Sequence, residues 1–253
     1  MKQFSPGLIV FWLSFLVELS KRSIRAVMVL NNYWEWSGGM GQYVSWDQGT
    51  EIPYFVESGN FQVFVDYVNQ FYSCDACQSA YRAHIQMVIG RVNTISGVTY
   101  RDDPTIFSWE LANEPRGYPV SWIAETAAFI KSLDENHMVT TGSEGSWAED
   151  FQSTHASEYI NYTTCHIWVE NWGMYNPNIS DDQSLNNSVS FAVNYLGENA
   201  RAAADLNKPL VLEEFGIARD GWTGPERTNM ILRPQSPTGT LIILQFSMQC
   251  WVI

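Results

Sequence analysis

The stretch Trp109-Glu110-Leu111-Ala112-Asn113-Glu114-Pro115-Arg116 decides how this chain is read. It is an apolar strand that ends on a carboxylate and is stopped at once by proline, which has no N–H to continue a ladder. An acid at a strand tip has nothing apolar to pack against. Such an ending points to a tip that faces either a ligand or an ion-pair partner. A second apolar strand, Pro209-Leu210-Val211-Leu212-Glu213-Glu214-Phe215-Gly216, ends in the same way.

Other strands alternate with helical patterns along the chain. Ile24–Leu30 is β-branched and apolar and runs into Asn31-Asn32. His137–Thr141 runs into Gly142-Ser143-Glu144-Gly145, and Tyr162–Trp168 carries His166 and Trp168 at its end. Apolar spacing predicts helices over Cys74–Ile95, with Ser73 as N-cap, over 121–135 and over 189–206. Tyr33–Asp47, with Trp34, Glu35, Trp36 and three glycines, reads as a long aromatic loop. Strands alternating with helices imply a parallel sheet with helical crossovers. The polar residues Asn32, Asn113, Glu114, Glu144, His166, Trp168 and Glu214 all follow strands, as on the active face of a (β/α) barrel. A doubly wound open sheet is the rival, but no Gly-rich phosphate loop follows the first strand. With 253 residues and no linker or repeat, the chain is expected to form one α/β domain over 1–253.

The net charge of −13 repels phosphate backbones and anionic membranes, which argues against nucleic acid and membrane partners. A neutral polymer would be indifferent to it. Eleven tryptophans are many for this length. They would fill either a Trp-rich core or a cleft where flat rings stack on sugar faces. Trp34, Trp36, Trp46, Trp168 and Trp172 sit in polar, Gly- and Asn-rich segments, which favours the cleft for that subset.

Cys74-Asp75-Ala76-Cys77 is a lone C-x-x-C without further ligands at zinc spacing, so it reads as two ordinary cysteines or a local disulfide. The apolar run Leu8–Val17 resembles a signal-peptide core, but Glu18 follows it and no small-x-small cleavage site is visible. Its apolar positions fit one face of a buried amphipathic helix. Asn161-Tyr162-Thr163, Asn178-Ile179-Ser180 and Asn186-Asn187-Ser188 are glycosylation sequons in a eukaryotic secretory host.

Two strand-tip glutamates are the minimal equipment for cleaving a glycosidic bond. A retaining mechanism sets the carboxyl groups ~5–5.5 Å apart, one protonating the leaving oxygen and the other attacking the anomeric carbon. Either glutamate alone could instead be an ion-pair partner for Arg116 or Arg219. Glu110 shares the face of Glu114 if side chains alternate to the strand end, which makes it a buried support. Acid, base and nucleophile suffice for this chemistry, so no cofactor or metal is expected.

Thr105–Arg116 resembles the acid/base strand of family 5 glycoside hydrolases, and among them most resembles that of the β-mannanases. Leu30–Gly39, with Gln42, Tyr43 and Trp46, is similar to their third-strand loop. Tyr100–Pro104, Thr141–Gly145, His166–Trp168 and Asn171-Trp172 fall in the family's order, over roughly residues 8 to 222. The resemblance implies a (β/α)8 TIM barrel and retaining endo-hydrolysis of β-1,4-mannosidic bonds in mannan, galactomannan or glucomannan. It makes Glu114 the acid/base and Glu214 the nucleophile, with Glu213 facing away. Asn113 would read the sugar 2-hydroxyl, and His166 and Trp168 would line the cleaved subsite. Asn32, Trp34, Trp36, Glu144 and Trp172 complete the substrate-binding set. Trp168 stands where many relatives carry a Tyr whose hydroxyl helps position the nucleophile, and an indole has no hydroxyl.

The first strand that fits the family pattern is its third, beginning near Ile24. The barrel is therefore expected to be incomplete, without the first two βα units and the family's second-strand Arg. After Trp222 the pattern dissolves, so that neither Thr240–Phe246 nor Trp251 can be assigned to the eighth strand. An open barrel would be less stable and less active than a full one. The expected protein is a monomeric polysaccharide hydrolase of extracellular or periplasmic location. An endoglucanase of the same family and a mannan-binding remnant without turnover stay open as alternatives.

Overall fold

The computed structural model describes residues 6–34, 39–146, 148–176 and 182–216. They form two compact units, one holding the chain up to Gly142 with Ser157–Asn161, the other Ser143–Ala156 with the residues from Tyr162 onward. Trp36, Arg219, the Asn178 sequon and everything assigned after Gly216 lie outside the described residues.

In the first unit, strands β1 (Ala26–Val29), β2 (Ile106–Glu110) and β3 (Met138–Thr140) form a parallel sheet in that order. β1 pairs Val29 with Glu110, and β2 pairs Glu110 with Thr140. Helices α1 (Pro6–Lys21), α2 (Gly39–Gln48), α3 (Phe55–Ser58), α4 (Phe61–Asn69), α5 (Asp75–Ile89) and α6 (Val120–Leu133) belong to the same unit. Its core is aromatic: Tyr33, Phe64, Phe71, Tyr81 and Trp109 are fully buried. Leu13 and Leu16 of α1 join that core, as the amphipathic reading expects. Among the described residues, no helix is long and apolar enough to cross a membrane.

Three local expectations change. The aromatic loop gives way to α2 from Gly39, because burial of Met40 and Val44 outweighs the poor helix propensity of Gly39 and Gly41. Helix α5 stops at Ile89 before Gly90, and Val92 and Ile95 beyond it are exposed, so their apolar spacing was coincidental. Its N-cap is Cys74 rather than Ser73. The Cys74 sulfur accepts from the Cys77 amide at 3.0 Å, and the two cysteines form a disulfide that leaves neither thiolate for a metal.

In the second unit, β4 (Thr163–Ile167) and β5 (Leu210–Phe215) pair in parallel, flanked by α7 (Ala148–His155) and α8 (Asp182–Asp205). His155 pins α7 to β4. Burial pulls its imidazole down to about 4, so the neutral ring bonds Phe151 O through Nδ1 at 2.8 Å and accepts from the Thr164 amide. All five described strands match strands expected from sequence. The chain is an α/β protein with parallel strands.

Gly142, just beyond β3, is dictated by packing. Its φ is +75°, and a Cβ there would sit 2.0 Å from Ala112 O and 2.3 Å from Glu110 Oε1. Gly142→Ala is therefore expected to cost on the order of 3 kcal/mol, lowering Tm by about 6–12 °C in thermal unfolding. A Tm within 2 °C of wild type would contradict this.

At the other end of the sheet, Asp134 Oδ2 accepts from Trp109 Nε1 and contacts His137 Nδ1, both at 2.7 Å. Burial alone would raise Asp134 and lower His137. Their mutual hydrogen bond reverses both, holding Asp134 below 3.8 and His137 above 6.5. The His137 contribution is complete below about pH 6.5 and fades as pH rises through its folded value. That of Asp134 is complete above about pH 4 and is lost as pH falls. The stability difference between wild type and Asp134→Asn should therefore be largest between about pH 4 and 6.5 and narrow on either side. A difference flat with pH in denaturant titrations would refute the pairing.

Candidate active site

Glu114 and its neighbours lie just past the ends of β1, β2 and β3. The ladder continues past the strands: Asn32 bridges Asn113, the Asn113 amide reaches Asn31 O at 3.0 Å, and the Glu114 amide reaches Gly142 O at 2.8 Å. Glu114 has φ +48°, a left-handed conformation that a non-glycine residue rarely holds without external support. Strand β2 itself ends at Glu110, so the alternation expected to put Glu110 and Glu114 on one face does not extend that far. Glu110 is nonetheless fully buried, as expected of a support.

Glu114 is buried, and its Oε2 accepts from Trp34 Nε1 at 2.5 Å. Asn32 holds both neighbours: its Oδ1 accepts from the Trp34 amide at 3.1 Å and from Asn113 Nδ2 at 3.3 Å. Trp34 is itself only 9% exposed, with Arg116 over its ring at 4.8 Å and Phe64 stacked at 6.4 Å. Its indole thus packs against protein and bonds the acid, which differs from the open sugar platform expected of it. Trp46 is exposed on α2, edge-on to Tyr43.

The second glutamate stands in the other unit, on β5. The β4–β5 register shifts between Cys165 and His166, so Cys165 faces Leu212 but His166 faces Glu214. That bulge inserts Glu213 as an extra residue and re-aims its neighbours. Consequently both acids flank one imidazole: Glu213 Oε2 lies 3.5 Å from His166 Nε2, and Glu214 Oε2 lies 3.6 Å from Nδ1. Glu213, expected to face away, is buried beside His166. Burial pushes its carboxyl up, against the pull of His166, and the charge of Glu214 pushes it further up.

Trp168 Nε1 donates to Glu214 Oε2 at 3.0 Å. An indole N–H thus reaches Glu214 from the position where many relatives carry a tyrosine hydroxyl. Gly216 makes room for it, since a Cβ there would lie 2.3 Å from the Trp168 ring. Glu144 contributes its backbone, with its carbonyl accepting from the His166 amide at 2.8 Å and from Tyr195 Oη at 3.0 Å. Trp172 packs edge-on against Phe191 and Tyr195 of α8. Sequence reasoning missed the partnership of Glu213 with His166, whose only signal was the doubled acid Glu213-Glu214.

A family model described as GH family 5 beta-mannosidase-like matches residues 3–240. A curated relative, the putative mannan endo-1,4-beta-mannosidase 9 of Oryza sativa subsp. japonica, is 33% identical over 85% of this chain and 54% of its own length. A variant of the glycoside hydrolase family 5 mannosidase from Rhizomucor miehei, solved in complex with mannosyl-fructose, is 39% identical with a TM-score of 0.83, over 90% of this chain and 56% of that one. The hyperthermostable endo-1,4-beta-D-mannanase from Thermotoga petrophila is 27% identical with a TM-score of 0.74, over 88% of this chain and 63% of that one. The chain spans about half the length of the curated relatives it matches. It belongs to glycoside hydrolase family 5, in the β-mannosidase-like group.

The Trp168–Glu214 bond has a direct readout. The indole N–H resonance of Trp168, assigned by Trp168→Phe, should move to an unbonded position in Glu214→Ala, which removes the acceptor. Gly216→Ala should shift it to an unbonded position. An unchanged resonance in both variants would contradict the geometry.

Proposed function

We propose that this family 5 member is a retaining glycoside hydrolase acting on β-1,4-mannosidic bonds of mannan-type polysaccharides, with its parallel strands part of one (β/α)8 domain. The observation that carries this reading is the matched pair of carboxylates: Glu114 and Glu214 each follow or end a parallel strand, and each accepts an indole N–H. In the first step Glu214 attacks the anomeric carbon, the glycosidic C–O bond breaks, and its electron pair leaves on the oxygen that Glu114 protonates. In the second step Glu114 takes a proton from water, and the resulting hydroxide displaces Glu214 from the sugar. The Trp168 N–H holds one oxygen of Glu214 in place, as a positioned nucleophile requires. Asn113, oriented through Asn32, is suited to the 2-hydroxyl, and His166 and Trp168 to the sugar at the cleaved bond. Glu144, Trp172 and Trp36 are assigned to the flanking substrate contacts.

A second reading is an exo-acting β-mannosidase. It is favoured by the description of the family model and by the 39% identity to a protein titled a mannosidase. The two are separated by the product pattern. Endo-action releases mixed oligosaccharides from galactomannan and drops its viscosity early, whereas exo-action releases mannose from mannobiose with little viscosity change. Hydrolysis of carboxymethylcellulose alone would overturn both.

Glu214→Ala should lower kcat at least about 10³-fold while leaving the melting temperature near wild type. Wild-type turnover in that variant would remove Glu214 as the nucleophile.

A further inference from the structure

The contacts around Glu114 do more than bury it. Its Oε2 accepts from the Trp34 indole N–H, the Trp34 amide is held by Asn32 Oδ1, and the Arg116 guanidinium covers the indole face. Phe64 lies parallel to the ring on the scale of a stacked pair, 4° from coplanar, and Phe55 and Phe61 close around it. The indole therefore cannot rotate without breaking several contacts at once, and its N–H is a fixed donor aimed at one oxygen. A cation over the ring face draws electron density from the π-system and makes the N–H a stronger donor. A protonated carboxyl has one oxygen that donates and one that only accepts. An N–H donor held against Oε2 is compatible with Oε2 as the acceptor and opposes a proton placed there.

We infer that Trp34 is a positioning residue for the general acid: its N–H, braced by Arg116, assigns the transferable proton to Glu114 Oε1. The inference rests on the reading of Glu114 as acid/base given above. In the first step the Oε1–H bond breaks, its proton passes to the glycosidic oxygen, and the electron pair of that bond stays on the carboxylate. The Trp34 N–H then stabilises the carboxylate it leaves behind. In the second step Oε1 takes a proton from water and the cycle closes. Without the N–H this opposition to a proton on Oε2 is lost, and molecules protonated there would present the wrong oxygen. The new carboxylate would also lose a donor, and hydrogen bonds to charged groups are among the stronger ones in proteins.

The test uses leaving groups that differ in their need for a proton. Trp34→Phe keeps a ring in the packed site and removes the N–H. A second variant with 3-benzothienylalanine at position 34 keeps the bicycle and lacks only the N–H, which answers the question if the Phe variant does not fold. On mannotriose, whose leaving group needs protonation, kcat/KM should fall about 10- to 100-fold. On 2,4-dinitrophenyl β-mannoside, whose leaving group departs unprotonated, kcat/KM should stay within about twofold of wild type. An equal fall on both substrates would reduce Trp34 to packing, and no fall on mannotriose would remove it from proton transfer. Glu114→Ala measured alongside keeps this separate from the parent reading. If that variant retains wild-type rates on mannotriose, the acid assignment itself is wrong, whatever the Trp34 variants do.

Discussion

A carboxylate taken out of water at the end of a strand must be held by donors, and that constraint shapes the first unit. Glu114 is buried at φ +48°, a conformation that persists only where neighbours over-determine it. Its amide is tied to Gly142 O, its side chain to Trp34, and its neighbour Asn113 to Asn32. Gly142 has to be glycine so that the end of β3 can come close enough to accept that amide. The aromatic core from α2, α4 and α5 stands behind Trp34 and keeps the donor in place. Each of these contacts fixes either the backbone or the side chain of Glu114.

The second unit meets the same constraint by a different device. A bulge in the β4–β5 pairing puts two consecutive acids against one histidine, where an unbroken strand would send them to opposite faces. Glu213 is the more deeply buried of the two and is pushed toward its neutral form. Glu214 is nearer solvent and takes the Trp168 N–H. The two adjacent carboxyls thus differ in burial and in hydrogen-bond partner.

Much of the frame was legible in the sequence because parallel strands leave strong traces. Each described strand is a short apolar run, and the residues after it are polar, as in Ile106–Glu110 followed by Asn113 and Glu114. The helices near the third-strand loop were not legible. Gly39-Met40-Gly41-Gln42 has weak intrinsic preference for helix, and only the burial of Met40 and Val44 makes it one. The apolar positions Val92 and Ile95 extended the pattern of α5 beyond Gly90, where the chain had already turned. For the site, residue identities were readable but partnerships were not. Trp34 and Glu114 are 80 positions apart, and Trp168 and Glu214 are 46 apart. Nothing local in the sequence records which indole meets which acid, or that Trp34 would be covered rather than open to a sugar. The bulge at His166 is likewise a property of the pairing, invisible in either strand alone.

The claim on which the rest turns is that Glu214 forms the covalent bond to the sugar. Incubation with 2-deoxy-2-fluoro-β-mannosyl fluoride, followed by proteolysis and tandem mass spectrometry, tests it directly, because the fluorine slows release of the glycosyl-enzyme. The account predicts a single fluoromannosyl adduct on Glu214 in the peptide containing Leu210–Phe215, and none in Glu214→Gln. An adduct on Glu213, on Glu114 or elsewhere in a turning-over enzyme would contradict it.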